Sequence, residues 1–143
     1  MAYEGTQICI HGLVSGEDLS ASTVAFKFVK ADTVTGLPNV VLCDAITDDA
    51  VGVLQAPTPT SAEGQPVQVV ALGITKVQTT AAATVGDLIG VNGDGRGVPV
   101  LWGTDTTQFI LGRIFNQDAT GVAGSLRTAF VNCINPPKAV TSA

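Results

Sequence analysis

Apolar and polar residues alternate over short stretches of this chain. In residues 23–30, Phe26 and Phe28 fall on one side of an extended backbone and Lys27 on the other. Residues 74–78 repeat the same two-residue period, which is that of a half-buried strand. Continuous apolar runs such as residues 39–43 instead predict strands that are covered on both faces.

Glycine and proline divide these stretches from one another. Gly73 interrupts an apolar run and predicts two separate strands, and Gly112 predicts a bulge within a strand. Asn92 to Gly95 predict a tight hairpin turn. The predicted strands span residues 6–10, 23–30, 39–43, 50–54, 66–72, 74–78, 84–91, 98–102, 107–115 and 126–134.

Turns recur every eight to twelve residues, and no long amphipathic helix is visible. Such spacing predicts an all-β fold, a compact barrel or sandwich of roughly eight to ten short strands with extended terminal segments. We divide the chain into an N-terminal strand or arm (1–20), an all-β domain (21–134) and a C-terminal tail (135–143). The predicted core comprises Phe26, Phe28, Val41, Val53, Val69, Leu72, Val77, Leu88, Ile89, Ile110, Ile114, Phe130 and Ile134.

The composition points to a protein that is buried in an assembly. Of the 143 residues, 45% are hydrophobic but only 13% are charged, about half the usual charged share. A soluble monomer usually carries more surface charge, so we expect a homo-oligomer. The net charge of -5 argues against direct binding to nucleic acid. No apolar run is long enough to span a membrane, and the N-terminus lacks the pattern of a secretory signal.

Candidate catalytic and metal-binding groups are sparse. Cys9, Cys43 and Cys133 are far apart in apolar surroundings and predict buried thiols, although a disulfide between two of them stays open. His11 is the only histidine, so we expect no metal and no cofactor. Adjacent carboxylates at Asp48 and Asp49 would point apart on a strand and predict a turn rather than a catalytic pair.

The glycine-rich segment 90–97 is not a phosphate-binding loop. It lacks the terminal Lys-Ser/Thr, and a strand-like segment follows it instead of a helix. A calcium loop would need more carboxylates than Asp94 supplies. We therefore interpret this segment as a hairpin.

Several short Gly- and Val-rich elements together carry a family resemblance. They are Ala50-Val51-Gly52-Val53-Leu54, the segments 64–69 and 73–77, Val85-Gly86-Asp87, Gly112-Arg113-Ile114 and the segment 127–131. In this pattern the chain resembles the small capsid decoration (cement) proteins of tailed bacteriophages. The resemblance covers residues from about 40 to 134, roughly two-thirds of the chain.

The resemblance implies a structural virion protein without enzymatic activity. Such a protein would bind the outer surface of an icosahedral phage head and stabilise it by clamping neighbouring capsid subunits. Its implied partners are the major capsid protein and further copies of itself, as a homotrimer. Its implied location is the outer head surface, after assembly in the host cytoplasm.

We expect the intersubunit or capsid contacts in the terminal segments and in the loop at 56–64. The candidate contact residues there are Tyr3, Gln7, Pro57, Pro59, Pro136 and Pro137.

Two other functions stay open at this point. A glycan-binding β-module on a virion or cell surface would use exposed aromatic rings, for which Trp102 and Tyr3 are the candidates. A hydrolase would need a nucleophile paired with His11, and only Cys9 or Cys43 could supply it.

Overall fold

The computed structural model describes residues 5–32, 39–55, 63–101, 103–117 and 123–139. Within these ranges the chain forms ten strands and one short 3-10 helix, Ser22–Val24, so the predicted all-β class is confirmed. The strands are β1 Gln7–Ile10, β2 Val14–Ser15, β3 Phe28–Ala31, β4 Asn39–Leu42, β5 Gly52–Leu54, β6 Val69–Thr79, β7 Leu88–Val91, β8 Gly97–Pro99, β9 Gly112–Gln117 and β10 Ser125–Asn132.

Five of the strands close into a barrel. The pairing runs from β6 to β8, β7, β9 and β10, and β10 then pairs back onto β6. The remaining strands extend the sheet from β6 through β5, β3 and β4 to β2, while β1 pairs with β6. Of the two predicted architectures, barrel or sandwich, the structure is a barrel, with a sheet extension on one side.

The long strand β6 joins the barrel to the extension. Leu72 pairs with both Ile8 and Asn132, so β1 and β10 lie on opposite edges of β6. At the other end, Thr79 pairs with β10 on one edge and with β8 on the other. Nearer the start of β6, Val69 and Val70 pair with β5.

The sequence predicted that Gly73 separates two strands. That prediction is wrong, because Gly73 lies within β6. Its φ is +130°, and a Cβ there would lie 2.1 Å from the carbonyl oxygen of Thr6. Only glycine permits both this backbone conformation and so close an approach. The two predicted strands are therefore one, with β1 pressed against its middle.

Gly112 is not the predicted bulge either. The irregularity in the β9–β10 pairing falls after Thr128, whose partner is Asn116, whereas Ala129 pairs with Ile114. The residue left over is Phe115. Gly112 is needed for another reason, because a Cβ there would lie 2.3 Å from the carbonyl oxygen of Phe130.

The prediction of a strand from residue 23 is wrong over its first half. Residues 22–24 form the 3-10 helix, and Phe26 has a positive φ of 64°. The Phe26 N–H donates to Leu54 O at 2.7 Å, and its carbonyl accepts from the N–H of Gln78 at 2.9 Å. These long-range hydrogen bonds hold a conformation that the local pattern does not favour.

The described residues form three core clusters, the smallest of which contains Val100, Ile110 and Ala139. One cluster fills the barrel side, and a second covers the opposite face of β3, β5 and the start of β6. Neighbouring residues of these strands therefore enter different clusters, as in Phe28 and Val29, Val53 and Leu54, and Val69 and Val70.

Of the predicted core, Phe28, Val53, Val69, Val77, Ile89, Ile110 and Ile114 are buried. Phe26, Val41, Leu72 and Leu88 are only partly buried. The prediction is wrong for Phe130 and Ile134, which are exposed. Because Ala129 and Val131 point into the barrel, alternation turns Phe130 outward, and Ile134 lies in the turn after β10.

We expect Phe28→Ala to lower the free energy of unfolding by about 3–5 kcal/mol, because the ring of Phe28 is fully enclosed. Phe26→Ala should cost less, since that ring is only partly buried. Chemical denaturation of the two variants measures both values. Equal losses would contradict the assigned packing.

Gly112→Ala should also be destabilising, by about 1–3 kcal/mol, because the added methyl group meets the backbone of Phe130. The matched control is Gly93→Ala, where the nearest atom would lie at an ordinary 3.6 Å. Denaturation midpoints compare the two. A midpoint for Gly112→Ala equal to that of the control would refute the close β9–β10 approach.

Candidate interaction surface

An exposed apolar surface lies on the outer side of strands β1, β6, β10 and β9. Phe130 on β10 is at the centre of this surface. It pairs with Ile74 on β6, and its ring lies 6.4 Å from the ring of Phe115 on β9. Ile8 is 53% exposed, Phe115 44% and Phe130 41%. We call Ile8, Leu72, Ile74, Phe115 and Phe130 the apolar face.

The apolar face is concave at its middle. A groove of about 210 Å³ is lined by Thr6, Gly73 and four of the five apolar-face residues, all but Phe115. The groove lies where the backbone of β1 passes against Gly73, and the side chains of Ile8, Leu72, Ile74 and Phe130 form its walls. A contiguous apolar surface of this kind marks an interaction site more often than a solvated surface.

The charged side chains on these four strands are all cations. Lys76 lies two residues from Ile74 on β6, and Arg113 pairs with Phe130 from β9. The Lys76 ammonium lies 5.5 Å from the centre of the Phe26 ring, and Arg113 Nη1 donates to Gly86 O at 3.3 Å. None of the four strands contains an aspartate or glutamate.

Carboxylates collect instead around the ends of β2, β3 and β4, at the far end of the sheet. Glu17 Oε1 accepts from the N–H of Leu42 at 2.8 Å, which brings it to the end of β4. Lys30 is the one cation within residues 13–18, 28–32 and 39–50. We call this region the acidic end; its carboxylates are Glu17, Asp18, Asp32, Asp44, Asp48 and Asp49.

The acidic end is held by one small network. Lys30 Nζ donates to Asp44 Oδ1 at 2.5 Å and to Asp48 Oδ2 at 3.1 Å. Asp48 Oδ2 also accepts from the N–H groups of Asp44 and Ala45. A turn over residues 45–48 is closed by the hydrogen bond from the Asp48 N–H to Ala45 O at 3.1 Å, so the predicted turn includes Asp48, and Asp49 follows it.

The network shifts two pKa values. Burial alone would raise the pKa of Asp48, but the two N–H donors and the Lys30 ammonium outweigh burial and lower it. The hydrogen bond to Asp44 raises the pKa of Lys30, with Asp48 contributing. Both groups are therefore held in their charged forms.

The predicted contact residues do not lie together on one element of the fold. Gln7 opens β1, and its Nε2 donates to Ile74 O at 3.1 Å, beside the apolar face. Pro136 is half-buried, and the exposed Pro137 accepts from the N–H of Ile110 at 2.8 Å. Tyr3, Pro57 and Pro59 lie outside the described residues, as does Trp102. The contact roles of all six candidates stay predictions.

The N-terminal segment is more anchored than a free arm. Within residues 5–20, β1 pairs with β6, β2 pairs with β4, and Leu19 is fully buried. We had expected contacts here because terminal segments without core positions can cross to a neighbour. That reason does not hold for residues 5–20.

Cys43 and Cys133 lie in the same core cluster, and Cys9 packs against it, but His11 is not part of it. Cys43 and Cys133 are free and buried, and burial raises the pKa of both thiols, that of Cys133 to about 12. Cys9 accepts from Gln68 Nε2 at 3.4 Å, and His11 is exposed. In the described part of the chain no three His, Cys, Asp or Glu residues are placed to hold a metal ion.

Across the same described ranges, no helix has the length and apolarity to cross a membrane.

The sequence analysis did not predict the apolar face. It also did not predict that Arg127 on β10 is buried inside the barrel. Arg127 is fully buried, and its Nη1 donates to Thr79 Oγ1; burial lowers the pKa of its guanidinium. The signal was the alternation of Arg127, Ala129 and Val131 with Phe130. The prediction placed Phe130 inside, whereas the inward side of β10 carries Arg127, Ala129 and Val131.

Comparison with known proteins gives one kind of match. No protein family and no curated protein matches the chain. Among solved structures, the N base of the head fiber gp8.5 of bacteriophage phi29 matches with a TM-score of 0.56 and 15% sequence identity. The match covers 90% of this chain and 96% of that one.

The two chains share a fold. At 15% identity the likeness concerns the whole architecture and not particular side chains. It extends over nearly all of both chains, so the barrel and its sheet extension are compared as one unit.

Asp48→Asn should change how stability depends on pH. Because the pKa of Asp48 is lowered on folding, its ionised form stabilises the fold above the ordinary aspartate pKa of about 3.9. That contribution disappears as the pH falls below this value. Urea denaturation between about pH 7 and pH 2.5 should show the wild-type advantage over Asp48→Asn shrinking in acid.

Asp49→Asn serves as the control for this series, because it removes the charge next to Asp48 and leaves both carboxylates that Lys30 contacts in place. A wild-type advantage over Asp48→Asn that stays constant with pH would contradict the network.

Proposed function

We propose that this chain is a structural protein of a phage virion that binds the outer surface of the head and stabilises it. The observation that carries the proposal is the fold shared with the base of a phage head fiber over 90% of the chain. The sequence resemblance to capsid decoration proteins points to the same class by a separate route. The proposed partners are the major capsid protein and further copies of this chain, as a homotrimer.

The surface of the molecule is suited to such a role. An exposed apolar face and an acidic end offer two different contact surfaces on one small barrel. Many copies that each make modest contacts can hold a shell, because linked contacts act through a high effective concentration. No chemistry is required of the protein in this role, and we propose no enzymatic activity and no cofactor.

The test uses heads of the phage that encodes this chain, prepared with and without its gene. Labelled protein should be found on the outside of the complete heads. Heads that contain it should release their DNA at a higher temperature than heads that lack it, because each bound copy must detach before the shell opens. Dye access to the DNA during heating measures the difference.

Heads lacking the protein should regain the protection when purified protein is added, which excludes an assembly defect as the cause. Protein that neither binds the heads nor shifts the temperature of release would refute the proposal.

A further inference from the structure

We propose that the apolar face binds the acidic end of a second copy of this chain, in a head-to-tail contact. The inference deepens the proposed function by assigning the surfaces of its homo-oligomer, and it rests on that function only for where the oligomer acts.

The first step is that the apolar face needs cover. Phe130, Phe115 and Ile8 are large apolar side chains, each exposed by about two-fifths or more. Ile8 and Phe130 line one groove, and the Phe115 ring lies 6.4 Å from that of Phe130, so the three side chains form one surface. Removing such a contiguous surface from water is favourable, and aromatic residues are typical of the centre of a protein interface.

The second step identifies the occupant by charge. The apolar face is flanked by Lys76 and Arg113, and its four strands have no carboxylate. A partner surface should therefore be acidic, because complementary potentials steer association and suppress wrong partners. This chain carries such a surface itself: six carboxylates and one lysine make up the acidic end.

The third step fixes the symmetry of the contact. Two apolar faces meeting each other would bring Lys76 and Arg113 of both copies together, and like charges oppose that arrangement. Pairing of unlike surfaces avoids the repulsion and uses both surfaces of each copy. Such a heterologous contact closes into a ring or continues as an open chain, and the proposed homotrimer is a ring of this kind.

The experiment disables one surface at a time. The face variant combines Phe130→Ser with Arg113→Glu, and the end variant combines Asp18→Lys with Asp44→Asn. In the end variant Lys30 keeps Asp48 as its partner. The matched control, Leu101→Ser with Lys138→Glu, makes the same kinds of change outside both surfaces. Analytical ultracentrifugation gives the mass of each protein alone and of an equimolar mixture of the face and end variants.

We expect wild type and control to sediment as oligomers. Each variant alone should sediment at the monomer mass of 14.5 kDa. The mixture should sediment at twice that mass and no higher, because it retains one intact apolar face and one intact acidic end. Recovery of a dimer also proves that both variants are folded. Should the face variant unfold, Ile8→Ser replaces it, since that side chain is 53% exposed.

Three results would overturn the inference: a monomeric wild type, a face variant with the wild-type mass, or a mixture that stays monomeric although both variants are folded. Binding to heads is scored separately. Wild type that binds heads as a monomer leaves the proposed function standing and removes this inference. Wild type that assembles head-to-tail but does not bind heads would support this inference and refute the proposed function.

Discussion

Backbone pairing along β6 is the constraint on which the rest of the structure depends. This one strand pairs with β1 and β8 along one edge and with β5 and β10 along the other. It can do so because it is eleven residues long and because Gly73 lets the chain of β1 approach without ending the strand. The barrel and the sheet extension are therefore one hydrogen-bonded unit, and a change in the register of β6 would alter both.

Closure of the five-stranded barrel decides which side of β10 faces inward. On β10 the inward positions are Ala129, Val131 and the buried Arg127, whose guanidinium reaches Thr79. The large residue between them, Phe130, has to face outward. The exposed position of Phe130 thus follows from alternation along β10, and burial of the apolar face in an assembly would remove that surface from water.

The charged side chains make the two ends of the sheet different. Cations border the apolar face, while carboxylates gather at the opposite end of the sheet around Lys30. A protein with few charges can still have a strongly polarised surface when the charges are sorted in this way. The fold is shared with a phage head-fiber base, and under the proposed function both of these unlike surfaces would be contact sites.

The sequence by itself determined the all-β class, the approximate positions of most strands and the buried side chains such as Phe28 and Ile89, because alternation and turn residues are local signals. It did not determine that residues 66–78 contain one strand rather than two, since Gly73 is explained only by its approach to Thr6. Nor could alternation tell which side of β10 faces inward: both choices keep the same period, and only closure of the barrel selects Ala129 over Phe130. The apolar face and the acidic end are likewise products of tertiary structure, because each unites side chains from strands that are far apart in the chain.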